Sequence, residues 1–280
     1  MREIDISVVT ETIKEMCIEI NHVISPDMKA ALEKASKEET SELGKMILSQ
    51  LEENLSVAKE EMIPICQDTG MAVIFMEIGQ DVHFTGGNLE DAINEGVRRG
   101  YTDGFLRCSV VDDPVIRKNT GDNTPAVIHY SVVPGEKCRI TLAPKGFGSE
   151  NMSKIYMLKP ADGIEGIKDA VISAVKDAGP NACPPIVVGV GIGGTFEKCA
   201  ILSKKALTRP VGIHSDIEYV KEMEEELLAR INELGIGPAG LGGSVTALAV
   251  NIETYPTHIA GMPVAVNMCC HVNRHIVKEV

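Results

Sequence analysis

The chain has 280 residues, of which 44% are hydrophobic and 24% charged, a composition typical of a globular protein with a sizeable core. Its formal net charge of −13 argues against a nucleic-acid partner, because a phosphate backbone is held mainly by a surplus of Lys and Arg. No segment has the run of about 20 apolar residues that a membrane helix needs, and the chain does not start with a signal peptide. We therefore expect a cytoplasmic protein whose eight cysteines are thiols rather than disulfides.

The first sixty residues have the pattern of helices. Apolar residues recur every three or four positions from Ile6 to Ile24, which predicts one amphipathic helix. Ser25-Pro26 ends this helix and begins a second helical stretch over residues 26–61. We expect residues 1–62 to form a helical layer.

After Pro64, short apolar runs alternate with turn residues and with helical segments. The pattern predicts strands and helices in mixed order: strands at 70–76, 126–133, 137–142, 186–190, 245–252 and 263–266, and helices at 88–99, 164–176 and 217–234. Pro134-Gly135 predicts that two of these strands form a hairpin, and Ser215-Asp216-Ile217-Glu218 has the form of a capping box. We expect an α+β fold, a single domain over 1–280. In it the helical layer packs on a mixed α/β body, residues 63–280, with several short β-sheets.

Three cysteine sites stand in or beside predicted loops, namely Cys66, Cys183 and the pair Cys269-Cys270. Thiolates are the ligands that iron-sulfur clusters require, and a loop lets the backbone wrap a prosthetic group. From the residues alone a zinc site is the rival interpretation, with Cys66, Cys183, Cys270 and His258 or His271 as candidate ligands. The remaining cysteines are assigned to packing: Cys17, Cys108, Cys138 and Cys199.

The segment Gly189-x-Gly191-x-x-Gly194 formally fits the dinucleotide fingerprint. It leaves open a function of another class, a redox or dinucleotide-binding protein. We give this alternative less weight, because the acidic residue expected about 20 positions further on would be Asp216, at the start of a predicted helix.

Five segments in the same order resemble the α subunit of class I fumarate hydratases and L-tartrate dehydratases. They are Cys66–Gly70, Asn119–Ala126, Pro144–Asn151, Cys183–Pro185 with Gly193–Thr195, and Pro256–Ala260. The resemblance implies a [4Fe-4S] cluster held by Cys66, Cys183 and Cys270, with the fourth iron open to substrate. It favours Cys270 over Cys269, because Arg274 follows Cys270 by the four residues that the family shows.

The resemblance also implies roles for other residues in adding water to, or removing it from, a small dicarboxylate. Asp68 is the first candidate for the proton-transfer group and His258 the second. Gln67, Arg107 and Gly148 are expected around the substrate carboxylates, where the planar fork of Arg matches a carboxylate. An open iron suits this chemistry, since hydroxide is a poor leaving group that a Lewis acid stabilises.

The expected reaction is the reversible hydration of fumarate to malate, with L-tartrate dehydration as the alternative. The resemblance further implies a β subunit, because single-chain relatives continue into a domain that supplies more Arg, Lys and Thr groups, whereas this chain ends at Val280. We expect the chain alone to be inactive, and its assembly to be either an α2β2 complex or a homodimer of α.

Overall fold

The computed structural model describes all 280 residues, which form two compact units with separate hydrophobic cores. The first unit comprises Met1–Ser25, Leu55–Phe147 and Arg274–Val280, and the second comprises Pro26–Asn54 and Gly148–Asn273. None of the helices combines the length and the apolar character needed to cross a membrane.

The helices and strands alternate irregularly along the chain. The helices are α1 Ile6–His22, α2 Pro26–Glu38, α3 Glu42–Glu61, α4 Leu89–Asp103, α5 Phe147–Glu150, α6 Gly163–Ala178, α7 Phe196–Ala206 and α8 Glu218–Asn232. The strands are β1 Arg2–Asp5, β2 Met71–Gly79, β3 Val82–Thr85, β4 Val127–Val133, β5 Cys138–Lys145, β6 Lys154–Leu158, β7 Ile186–Gly193, β8 Ala247–Tyr255, β9 Met262–Cys269 and β10 Ile276–Glu279. This arrangement confirms the α+β class.

The first unit is built on a four-stranded sheet in the order β10-β5-β2-β4, beside a small parallel pair formed by β1 and β3. Helices α1 and α4 pack against each other and share a core with the sheet. A Cβ on Gly96 would lie 2.7 Å from the Thr10 carbonyl oxygen, so only glycine lets the two helices approach this closely. The sheet and this helix pair together hold the loop that carries Cys66.

The predicted hairpin between β4 and β5 is wrong. Strand β2 lies between them, parallel to β4 and antiparallel to β5. The physical reason is burial: β2 is buried from Ala72 to Met76 and takes a central position, whereas β4 is mostly exposed and takes the edge. Pro134 and Gly135 still turn the chain, but they turn it past a third strand.

The second unit contains a four-stranded sheet in the order β6-β9-β7-β8. Helices α6 and α8 pack on one face of this sheet and α7 packs on the other. Val188 and Val190 of β7 share a core with α6 and α8. Side chains alternate along a strand, so Gly189 and Gly191, which follow these valines, face the other way, towards α7. A Cβ on Gly189 would lie 2.2 Å from the Ser203 carbonyl oxygen, and one on Gly191 would lie 2.1 Å from that of Cys199. These glycines therefore serve close packing between a strand and a helix.

Two further observations concern the helices of residues 1–62 and the expected capping box. The helices of residues 1–62 are divided between the units, with α1 in the first and α2 in the second, because each packs on a different sheet. The predicted capping box at Ser215–Glu218 is absent: α8 begins after Ile217, which offers no side-chain cap. The assignment of residues 1–280 to a single domain stays a prediction.

Candidate active site

One group of candidate residues lies in the first unit, in the loop Cys66–Gly70 between α3 and β2. The half-buried Cys66 sulfur accepts a hydrogen bond from the Asp68 N–H at 3.4 Å. The Asp68 carboxylate accepts the N–H of Gly70 at 3.0 Å with Oδ1 and that of Phe147 at 2.9 Å with Oδ2. Asp68 thus ties together two of the segments on which the family resemblance rests.

A glycine makes this tie possible. A Cβ on Gly146 would lie 2.9 Å from Asp68 Oδ2, closer than real side chains come. Gly148 follows in α5, and a Cβ there would meet nothing within 4 Å. A side chain at Gly148 would therefore project into open space.

A buried polar frame holds the Cys66–Gly70 loop from the side of α4. Tyr101 is fully buried, and its hydroxyl donates to the carbonyls of Thr69 at 2.8 Å and Gly70 at 3.2 Å. Burial raises the pKa of Tyr101 well above its ordinary value, so the hydroxyl remains a donor. Asn123 donates to the Gly70 carbonyl at 3.1 Å. Sequence reasoning missed Tyr101, because an aromatic residue on a helix is typical of a core.

Two arginines meet this loop in different ways. The backbone of Arg107 exchanges hydrogen bonds with the Thr69 hydroxyl at 3.0 and 3.1 Å, which fixes its position while its side chain is exposed. Arg274 is only 2% exposed and donates to the Asp68 carbonyl at 2.7 Å and to Asn21 Oδ1 at 2.8 Å. Arg107 can therefore meet a ligand, whereas Arg274 supports the loop. Gln67 is exposed between Cys66 and Asp68.

A separate group of candidate residues lies in the second unit, at one end of its sheet. Cys183 is exposed and has a left-handed backbone with φ of 54°. The backbone N–H and ring Nδ1 of His271 both lie within hydrogen-bond distance of the Cys183 carbonyl, at 3.3 and 3.1 Å. Cys269 is paired with Val187 and buried, while Cys270 is half-buried just beyond the strand. Cys183 and Cys270 are thus neighbours, and Cys270 is the more accessible of the adjacent pair.

The structure does not bring His258 to these cysteines. His258 is exposed in the loop between β8 and β9, where its Nδ1 accepts the Ala260 N–H at 3.1 Å. This loop lies beside Gly193, at the opposite end of β7 from Val187 and Cys269. Six residues of strand separate the two ends, roughly 20 Å at about 3.3 Å per residue.

The other cysteines have the properties of packed side chains. Burial raises the pKa of the Cys138 thiol to about 11 and raises those of Cys17, Cys108 and Cys199. Such thiols are poor sources of the thiolate that a metal needs. Among all the residues of the chain, no three or more His, Cys, Asp or Glu side chains gather closely enough to hold a metal ion.

Comparison with known proteins agrees with the segments found in the sequence. The chain is 40% identical over 278 residues to a protein of Methanocaldococcus jannaschii that carries the provisional name L(+)-tartrate dehydratase subunit alpha, and the match covers 97% of each chain. It is 32% identical over 268 residues to the L(+)-tartrate dehydratase subunit alpha of Escherichia coli strain UTI89, covering 95% of this chain and 88% of that one. The profile described as fumarate hydratase (Fumerase) matches residues 10–279. The chain therefore belongs to the fumarate hydratase (Fumerase) family.

Proposed function

We propose that this chain is the α subunit of an L-tartrate dehydratase, a hydro-lyase that removes water from a small hydroxylated dicarboxylate. The observation that carries the proposal is the similarity over nearly the full length of the chain to proteins named as α subunits of that enzyme. The reaction expected from the sequence is fumarate hydration, with tartrate dehydration as the alternative. The names of these relatives favour the alternative. Fumarate hydration remains the second candidate, supported by the description of the family.

We propose a [4Fe-4S] cluster as the cofactor, held by Cys66, Cys183 and Cys270. The chemistry of the donors supports it, since all three thiols are exposed or half-buried and lie in or beside loops. The N–H of Asp68 on the Cys66 sulfur is the kind of contact that tunes such clusters. When bound, the cluster supplies a Lewis-acid iron that stabilises the departing hydroxide.

Asp68 is the group that we propose to move the proton. A carboxylate has about four lone-pair positions, and two backbone N–H groups use only part of this capacity. The two bonds also fix the direction in which the free lone pairs point. His258, the second candidate, is not supported within one chain because of its distance from Cys183 and Cys270.

Arg107, Gln67 and the N–H groups around Gly148 are the proposed contacts to the substrate carboxylates. On a chain with a net charge of −13, a dianion needs such local donors to overcome repulsion. The exposed guanidinium of Arg107 is held by its backbone against the same loop that carries Asp68. The same loop, Cys66–Gly70, would then position both the substrate, through Arg107, and the proton-transfer group Asp68.

A dinucleotide-binding function is not favoured. The Ser203 and Cys199 carbonyls of α7 occupy the space that side chains at Gly189 and Gly191 would need. Close packing of the strand on the helix therefore already explains why these two residues are glycines. Strand β9 also runs antiparallel to β7, unlike the parallel sheet of a dinucleotide-binding fold.

The test of the proposal is an anaerobic assay with and without the candidate β subunit, after reconstitution with iron and sulfide. Dehydration of tartrate gives an enol that becomes a 2-oxo acid, which can be followed directly. We expect turnover only when both chains are present, in an α2β2 complex or in another assembly of the two. Full turnover by the purified α chain would refute the need for a partner, and no turnover with either substrate would refute the hydro-lyase assignment.

A further inference from the structure

We propose that Glu39 is a positioning residue for Cys183, acting through the glycine-rich loop Gly237–Gly243. This inference rests on the proposed function, in which Cys183 binds the cluster. All the residues that carry it lie in the second unit.

Glu39 directly follows α2 and is only 2% exposed. Its Oε1 accepts the N–H groups of Thr40, Ser41 and Ser244 at 2.8, 2.8 and 2.9 Å, and its Oε2 accepts that of Val245 at 2.9 Å. Burial raises the pKa of Glu39, but the hydrogen bonds from Ser41, Ser244 and Val245 lower it by more. The carboxylate is therefore an ionised anchor for a segment about 200 positions further along the chain.

The anchored segment begins where the Gly237–Gly243 loop ends. A Cβ on Gly243 would lie 2.7 Å from Glu39 Oε2, so the carboxylate fills the space of the missing side chain. The loop is closed by the Gly242 N–H on the Ile236 carbonyl at 2.8 Å and by the Gly237 N–H on the Thr246 hydroxyl at 3.2 Å. Glu39 thus holds one end of a closed loop.

The other side of the loop meets the turn that carries Cys183. The Ala239 N–H donates to the Pro184 carbonyl at 2.8 Å, and Ala239 itself has a positive φ of 54°. A Cβ on Gly240 would lie 2.2 Å from Pro180 Cβ. The Cys183 N–H bonds back to the Pro180 carbonyl at 3.0 Å. The loop therefore contacts the turn on both sides of the cysteine.

Cys183 needs such support because its own backbone is left-handed. A residue with a side chain persists in this conformation only when its surroundings hold it there. Hydrogen bonds and the chain between them connect Glu39 to the Cys183 turn without a break. They run from Glu39 to Ser244, along the Gly237–Gly243 loop to Ala239, and from Ala239 to Pro184. Replacing Glu39 by Gln removes the charge and turns an NH2 donor towards backbone donors, which should release the loop and then the turn.

The test is hydrogen exchange of the full chain, comparing the wild type with Glu39→Gln. We expect the amides of Ala239 and Cys183 to exchange roughly tenfold faster or more in the variant, with protection of α1 and α4 unchanged. Glu38→Gln, on the exposed neighbouring residue, is the matched control and should leave all these amides as they are. Faster exchange confined to residues 40–41 and 244–245, with Cys183 unchanged, would overturn the proposal.

A second measurement separates positioning from general stability. After anaerobic reconstitution and one-electron reduction of the cluster by dithionite to its paramagnetic state, we expect Glu39→Gln to bind iron and sulfide but to show an altered electron paramagnetic resonance spectrum. We expect Glu39→Asp to restore the wild-type spectrum in part. An unaltered spectrum would also overturn the proposal. Failure of the wild type itself to take up a cluster would instead refute the proposed cofactor, while the exchange result would still stand.

Discussion

Replacing Asp68 by Asn separates the two roles that the carboxylate can have. In the structure it accepts the N–H groups of Gly70 and Phe147, so it holds the loop whatever its part in the reaction. Asn keeps one oxygen acceptor and turns an NH2 group towards the other N–H. The substitution therefore removes one hydrogen bond to a charged group, and such a bond contributes about 1.5–3 kcal/mol to stability. We expect the free energy of unfolding to fall by about that amount.

The effect on turnover should be larger than this structural loss explains. A general acid-base group contributes typically about 10²- to 10⁴-fold to the rate, so kcat should fall by that factor while the iron content stays normal. The measurements are urea unfolding of the chain without cluster and anaerobic turnover of the complex with β subunit.

Asp122 offers a matched control in the same unit. Its Oδ1 accepts the Thr124 N–H at 3.1 Å and the Thr124 hydroxyl at 2.7 Å, and its Oδ2 accepts the Arg98 Nε–H at 3.0 Å. This is a structural role without a proposed part in the chemistry. Asp122→Asn should cost similar stability and leave kcat close to that of the wild type. If Asp68→Asn lost stability but kept its turnover, Asp68 would be a turn-capping residue and the reasoning would be wrong.

Substitutions of the cysteines, Gly148, Tyr101 and Glu39 have separate expected outcomes. Serine in place of Cys66, Cys183 or Cys270, the proposed ligands, should abolish the cluster. Serine in place of the buried Cys17 or Cys138 should leave the iron and sulfide content unchanged. Gly148→Ala should keep wild-type stability, because the new methyl meets nothing in the chain, but should raise KM; an unchanged KM would exclude Gly148 from the substrate contacts. Tyr101→Phe should lower the free energy of unfolding, measured in urea, by about 1–3 kcal/mol, because the buried Thr69 carbonyl loses its hydrogen-bond donor. An unchanged free energy of unfolding would show that the Tyr101 hydroxyl does not stabilise the Cys66–Gly70 loop. Folding lowers the pKa of Glu39 from its ordinary value of 4.5, so its contribution to stability is fully present above pH 4.5 and is lost as the pH falls through the pKa of the folded state. The difference in free energy of unfolding between wild type and Glu39→Gln should therefore become smaller in acid. A difference that does not change with pH would contradict this.

The elements that the sequence predicted well are those that depend on local pattern. The apolar period of α1 and the helical pattern of α4 are properties of neighbouring residues, and both helices lie close to where they are expected. The hairpin failed because no local signal reveals that β2, from much earlier in the chain, inserts between β4 and β5. Turn residues report the direction of the chain but not which strand becomes its neighbour.

The candidate site shows the same limit. Cys66 and Asp68 were found because they lie within one short segment of the sequence. Tyr101 and Glu39 were missed because their importance comes from contacts with residues about 30 and 200 positions away. His258 is a candidate by its residue type and its motif, but neither tells at which end of a sheet it will lie.

The central claim is that this chain supports the dehydration of L-tartrate. The most direct test is the ratio of kcat/KM for tartrate dehydration to that for fumarate hydration, measured anaerobically on the reconstituted chain with its β subunit. The account predicts a ratio well above one, with both activities lost in Cys66→Ser. A ratio well below one would contradict it and identify the enzyme as a fumarate hydratase.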